Sequence, residues 1–302
     1  MDIYQTVTDR IVQLLEAGTC PWRESWSGGT GMPRNLVSKK EYRGINPFLL
    51  SAMSYSSPYW LTYRQAVSLG GHVKRGEKSS LVVFWKMLDK KAATDQVEEA
   101  NTKRGKIPML KFYNVFSVEQ CEGLTVPPDP EETINEFTPI EKAEHIVQGY
   151  KRAPIIRYGG NRAFFRPADD LVQMPYQHTF EHSEDFYAVL YHEMGHSTGA
   201  KHRLARKEVV ELNTFDSHER GVEELVAEFT ASFLCAHAGI SSQTIDMSAS
   251  YIDGWLSVLK GPKGDKKMLV VAAARAQAAA DLILNRRPGE NSEPDVTEDS
   301  AE

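Results

Sequence analysis

At 302 residues, 41% hydrophobic and 25% charged, the chain has the balance of a globular protein and the length for two domains rather than one. No apolar run reaches the roughly 18 residues of a membrane-spanning helix, and the opening MDIYQTVTDRIVQLLEAG is amphipathic and carries acids, which argues against a membrane span and an ordinary secretory signal. The formal net charge of −6 conceals a split: residues 1–125 hold 17 Lys and Arg against 12 Asp and Glu, or +5, and the remainder holds 18 against 29, or −11. Two halves of opposite sign point to two jobs, the first with a polyanion as partner.

Residues 3–17 place Ile3, Val7, Ile11, Leu14 and Leu15 at helical spacing and stop at Gly18. The loop CPWRESWSGGTGMPRN follows, rich in Gly, Ser and Pro yet holding Trp22 and Trp26. SPYWLTYRQAVSLGG reads as a short helix closed by Gly70 and Gly71, and SLVVFWKML and MLKFYNVFSV read as strands. The charged stretch between those strands, DKKAATDQVEEANTKRGK, reads as an exposed hairpin tip. TVPPDPEETINEFTP is rich in Pro and acids and reads as a linker. Beyond it are predicted a helix over 140–152, strands in PIIRYGG and AFFRPADDLVQMP, helices through 184–198 and near 219–239, and an Ala-rich helix near 267–286. The division is therefore 1–125, a linker at 126–139, a second domain at 140–286, and an acidic tail at 287–302 expected to be disordered. Cys20, Cys121 and Cys235 lie far apart with no C-x-x-C pair, which fits a reducing cytoplasm better than a disulfide framework.

The chemistry concentrates in EDFYAVLYHEMGHSTG. Phe186, Val189, Leu190 and Met194 are helically spaced, so His192 and His196 project from one face about 6 Å apart along the axis, close enough to meet one metal ion. Glu193 would stand beside the open position as general base, where zinc lowers the pKa of water to about 7. A third ligand is needed, and RGVEELVAEFTASFLCAHAG offers Glu224 and Glu228 four apart among Leu225, Val226, Phe229 and Phe233. A carboxylate among such residues is costly unless paired or bound to a cation. Glu224 is assigned as third ligand and Glu228 as the hydrogen-bond partner of a ligating histidine, with the reverse assignment left open. Zinc is the expected ion, although two histidines and a glutamate also accept Mn2+, Co2+ or Ni2+. His178, His182 and His202 read as exposed or hydrogen-bonded rather than ligating. DDLVQMP reads either as an edge strand that could align a peptide or as a core strand. Tyr187 and Tyr191 read as oxyanion donors or, more simply, as core.

In the first half, PWRESW, KKEYRGINPF, YWLTYRQ and HVKRGEKSSLVVFWK interleave aromatic residues with cations. Single-stranded nucleic acid suits that pairing, because cations follow phosphates while rings stack on unpaired bases. Trp60, Phe84 and Trp85 are equally well explained as core. The candidate contacts are Trp22, Trp26, Lys39, Lys40, Tyr42, Arg43, Arg64, Lys74, Arg75 and Lys78.

Taken together, PW (21–22), YRGIN (42–46), YWLTYRQAVSLGGHVKRGEKS (59–79), VVFWK (82–86), YNVFSVEQCEG (113–123), DDLVQMP, FYAVLYHEMGHSTG, HRLAR (202–206) and EELVAEFTASFLC resemble the ArdC antirestriction proteins of conjugative plasmids, across residues 1 to about 285. One departure is Ser117, where Asn is expected. The resemblance implies an α+β protein with an N-terminal mixed α/β domain that binds single-stranded DNA, followed by a zincin-like metallopeptidase domain whose active-site helices lie against a small sheet. It implies a bacterial, cytoplasmic protein that shields incoming plasmid DNA from restriction, with single-stranded DNA as partner and a protein substrate or restriction enzyme as a second. Whether the centre is a working gluzincin-like zinc peptidase, or a metal-bound but silent part of a binding or decoy protein, stays open at this level. A general protease whose first half recognises proteins is a third alternative.

Overall fold

A computed structural model of the chain describes residues 2–22, 32–53, 55–89, 106–127, 139–211, 217–240, 249–261 and 265–287. Trp26, all but the first and last residues of the expected hairpin tip, most of the expected linker and all but the first residue of the expected tail lie outside the described residues.

Helix α1 (Ile3–Glu16) opens on the side chain of Asp2, which accepts from the backbone of Gln5, and it buries the stripe Val7, Ile11 and Leu15. Strand β1 (Arg34–Asn35), helix α2 (Asn46–Ser51), strand β2 (Tyr59–Thr62) and helix α3 (Tyr63–Ser68) follow. The segment expected as one helix therefore divides. Tyr59, Trp60 and Leu61 have the bulk that suits a pleated, buried strand, and Thr62 then caps α3 through a reciprocal pair with Gln65. Strand β3 (His72–Val73) leads to the long antiparallel pair β4 (Ser80–Asp89) and β5 (Lys106–Ser117), in register from Ser80 opposite Val115 to Asp89 opposite Lys106. The strand order is β1-β2-β5-β4, and β3 pairs with β6 (Cys121–Glu122) beside it. Side chains alternate across the sheet: Val83 and Leu110 join the main core, while Val82, Phe84, Tyr113 and Val115 pack with Tyr42, Leu50 and Trp60 on the other face. Ser117 is itself a cap, accepting from the backbone of Glu119 at 3.2 Å, so the departure from Asn leaves the turn satisfied.

The second region begins with α4 (Pro139–Gly149) and a small sheet of β7 (Ile155–Tyr158), β8 (Phe164–Arg166) and β9 (Leu171–Met174), in the order β7-β9-β8. AFFRPADDLVQMP is thus two strands, broken by the 3-10 turn Pro167–Asp169 and by Asp170, whose φ of 49° is left-handed. This corrects the edge-strand alternative for DDLVQMP: β9 pairs on both sides, so its backbone has no free edge to offer a peptide. Helix α5 (Ser183–Ser197) packs on β8 and β9 and against α7 (Ser217–Ala238). Short α6 (Lys207–Val210) lies before α7, and α8 (Ala249–Lys260) and α9 (Met268–Ile283) follow it.

The two regions form an α+β molecule, yet one hydrophobic core runs through both. The ring of Trp22 meets those of Phe229 and Trp255 at centroid distances of 5.2 and 6.0 Å, and Phe48 stacks on Phe233 at 5.1 Å. Arg43 pairs with Asp281, and the backbone of Gly44 donates to Gln277 at 3.2 Å. Among the described residues, no helix is long and apolar enough to cross a membrane.

Candidate metal centre

Helices α5 and α7 approach closely because of Gly195. A Cβ there would lie 3.1 Å from the Cα of Ala227 and 3.2 Å from the Cβ of Thr230, closer than ordinary packing allows. The glycine inside HEMGH thus lets the helix bearing two histidines settle against the helix bearing the glutamates.

At that contact, Nε2 of His192 and Nε2 of His196 are 3.1 Å apart, and Oε2 of Glu224 lies 3.5 Å from the first and 3.7 Å from the second. A tetrahedral ion with bonds of about 2.0–2.2 Å separates its donors by roughly 3.3–3.6 Å, so the three atoms fit one ion with shifts of a few tenths of an ångström. Among the described residues these three are the group whose donor atoms, within 4.8 Å of one another, could hold a metal. Both imidazoles are largely buried, whereas the side chain of Glu224 is 54% exposed and opens the centre to solvent. Glu193 is buried in the turn between the histidines.

Glu228 stands 3.9 Å from Nδ1 of His192, at ion-pair rather than hydrogen-bond range. The closer histidine partner is Glu223, whose Oε1 lies 3.1 Å from Nδ1 of His196. Arg206 grips Glu223 with two hydrogen bonds of 2.8 and 2.7 Å and donates also to Thr198 at 2.6 Å and to the carbonyl of Gly195 at 2.9 Å. Neither Glu223 nor Arg206 was singled out by sequence reasoning. The available signal was the pair Glu223–Glu224 at the start of an otherwise apolar helix, with HRLAR as a source of the cation.

The electrostatics are those of a site built for positive charge. Burial opposes a charge on His196, but hydrogen bonds and attraction from Glu223 and Glu224 push its pKa up to about 10. Burial likewise opposes ionisation of Glu224, yet the two imidazoles hold its carboxyl well below the usual range. Glu223 is also held down, chiefly by Arg206 and His196 working against burial.

The remaining candidates divide by burial. His178 stacks on Tyr176, His182 precedes α5 near Glu181, and His202 lies 3.3 Å from Asp170, so none of the three joins the centre. Tyr187 donates to Glu144 at 2.9 Å and Tyr191 to the carbonyl of Ala143 at 3.1 Å, which commits both hydroxyls to α4 rather than to an oxyanion. In the first region Trp22 and Tyr42 are buried, which corrects their expected role as stacking surfaces. Arg43 is corrected as well, since its guanidinium is taken up by Asp281. Lys39, Arg64, Arg75 and Lys78 are exposed, and Lys40 and Lys74 partly so. Lys39 lies over the ring of Tyr59, and Lys74 donates to the carbonyl of Glu119 at 2.9 Å. Trp60 and Phe84 are core, but Trp85 is 40% exposed beside Tyr4.

Residues 1–116 match the family described as the N-terminal domain of anti-restriction factor ArdC, and residues 141–275 match the family described as zincin-like metallopeptidase. The metal-free crystal structure of antirestriction protein ArdC from plasmid R388 is 36% identical, with a TM-score of 0.72 over 95% of this chain and 100% of that one. Its Mn(II)-bound form is matched at the same TM-score over 94% and 98%. Protein y4eC of Sinorhizobium fredii is 36% identical over 93% of this chain and 91% of its own length. A DNA primase TraC of Escherichia coli is 33% identical over 93% of this chain, which spans 27% of the primase's length. With relatives followed nearly end to end and a metal-ready helix pair in the matching region, the chain belongs to the ArdC antirestriction protein family.

Proposed function

We propose that this chain binds single-stranded DNA without reading its sequence and carries a zinc-dependent peptidase centre, and that it protects incoming conjugative DNA from restriction in the recipient. The single observation that carries the proposal is the convergence of His192, His196 and Glu224 from two helices of a chain that aligns with ArdC over almost its whole length. Bound there, the ion would act as a Lewis acid and bring a water molecule to a pKa of about 7. His192, His196 and Glu224 would hold the ion, and Glu223 and Glu228 face the far nitrogens of the two rings. Glu193 takes a proton on its carboxylate and passes it to the leaving nitrogen. In the first region the exposed cations Lys39, Arg64, Arg75 and Lys78 follow phosphates, with Lys40 and Lys74 beside them. The stacking rings are then the exposed ones, Tyr63, Trp85 and Phe112, rather than Trp22 or Tyr42.

A second reading is supported by the shared core. The helix that supplies Glu224 also supplies Phe229 and Phe233 to Trp22 and Phe48, so a bound ion could serve to hold the whole molecule together while DNA binding does the protecting. Glu193→Gln separates the two. Metal content and folding stay unchanged in both cases. Loss of plasmid protection in cells supports a working peptidase, and full protection supports a silent centre.

A further inference from the structure

Two histidines face the centre, but they are not held alike. His192 has a carboxylate only at 3.9 Å from its Nδ1, whereas His196 has one at 3.1 Å that is itself clamped. We propose that Glu223 and Arg206 are positioning residues that preset His196 and the α5–α7 contact for metal binding. The inference rests on the metal-centre reading above and goes further, since it assigns work to two residues that would not touch the ion.

An imidazole that gives its Nδ1 proton to a carboxylate keeps its lone pair on Nε2. In His196 that nitrogen is the one facing His192 and Glu224. Glu223 therefore sets both the tautomer and the tilt of the ring. Arg206 sets Glu223 in turn, with Nε on one oxygen and Nη2 on the other. The same guanidinium reaches Thr198 and the carbonyl of Gly195, so one side chain ties the C-terminal end of α5 to the first half of α7. A Cβ at Gly199 would stand 2.9 Å from the Arg206 guanidinium, so the backbone of STG leaves the room this reach requires. Both members of the pair are more than nine-tenths buried. A buried ion pair adds little net stability over an apolar pair of the same shape, because desolvation offsets the attraction. Orientation is what such a pair supplies that an apolar one cannot.

The test uses the full chain, stripped of metal and titrated with Mn(II) in a calorimeter, with a melting curve of each metal-free variant. Glu223→Gln is expected to weaken Mn(II) binding by about 10- to 100-fold per folded molecule. Glu228→Gln should weaken it less. The double variant Glu223→Gln with Arg206→Gln should lose less affinity than the two single losses added together, because Arg206 acts in part through Glu223. Arg206→Lys, which keeps the charge and loses the fork, should also weaken binding, and it serves as the decisive variant if Glu223→Gln fails to fold. A folded Glu223→Gln or Arg206→Lys chain that melts lower yet binds Mn(II) as tightly as the unaltered chain overturns the proposal, since the pair is then structural only. Absence of Mn(II) binding by the unaltered chain overturns the centre itself, and this inference with it.

Discussion

The region of the candidate metal centre and the cationic region handle their polar and aromatic residues in different ways. In the first of these, Glu193, Glu223 and Arg206 are charged yet buried, and only the ligand candidate Glu224 opens to solvent. In the other, several rings go inside and several cations stay out: Trp22, Tyr42 and Trp60 are core, while Arg64, Arg75 and Lys78 are exposed. The contrast teaches that side chains are held in a fixed geometry where charge is buried in pairs, whereas charge left at the surface stays free to meet a polyanion of any sequence. It also shows that the two regions are not separable bodies, because the rings of one fill the helices of the other.

The sharpest way to break this comparison is to remove a ring at the seam. Trp22→Ala should cost about 3–5 kcal/mol, read from the urea midpoint, and leave one cooperative transition that loses both regions together. Affinity for single strands, measured per folded molecule, should not change. Two separate transitions, or a specific loss of DNA binding, would restore Trp22 to the surface role that its sequence context suggested.

A smaller effect is expected from the surface itself. Replacing Arg64, Arg75 and Lys78 together by Gln should weaken single-strand binding and flatten the dependence of log K on log salt by about 0.7 for each phosphate no longer neutralised. Melting should be nearly unaltered. An unchanged salt slope would place the nucleic-acid surface elsewhere.

The smallest expected effect concerns acid. His237, on α7 next to Arg286, has its pKa pushed down to about 3 by burial and by the charges of Arg286 and Arg43. The unfolded chain takes up that proton near pH 6.5 and the folded chain only near pH 3, so stability is complete above about 6.5 and falls as the pH drops towards 3. His237→Gln should make the loss of stability between pH 6.5 and 4 less steep in urea melts. Equal slopes would mean that the proton on His237 is not part of the seam.

Helix geometry explains why His192, His196 and Glu224 were legible in the chain: a four-residue spacing fixes a face, and an acid among apolar neighbours advertises a partner. Glu223 was not legible because its role depends on Arg206, seventeen residues earlier and across a turn. Trp22 and Tyr42 misled because aromatic residues beside cations look the same in a core as on a surface, and only tertiary packing separates the two. At β9 the sequence left edge and core strand both open for a related reason, since an apolar run of strand length does not say whether it has one neighbour or two. The helix pattern at α1 and α9, by contrast, needed no tertiary information.

The most direct measurement is an anomalous-scattering map from crystals of the full chain soaked in Mn(II). A single strong peak is expected within about 2.0–2.3 Å of Nε2 of both His192 and His196 and of a carboxylate oxygen of Glu224. A peak bound by other residues, or none between α5 and α7 at a concentration that saturates the R388 protein, would contradict the account.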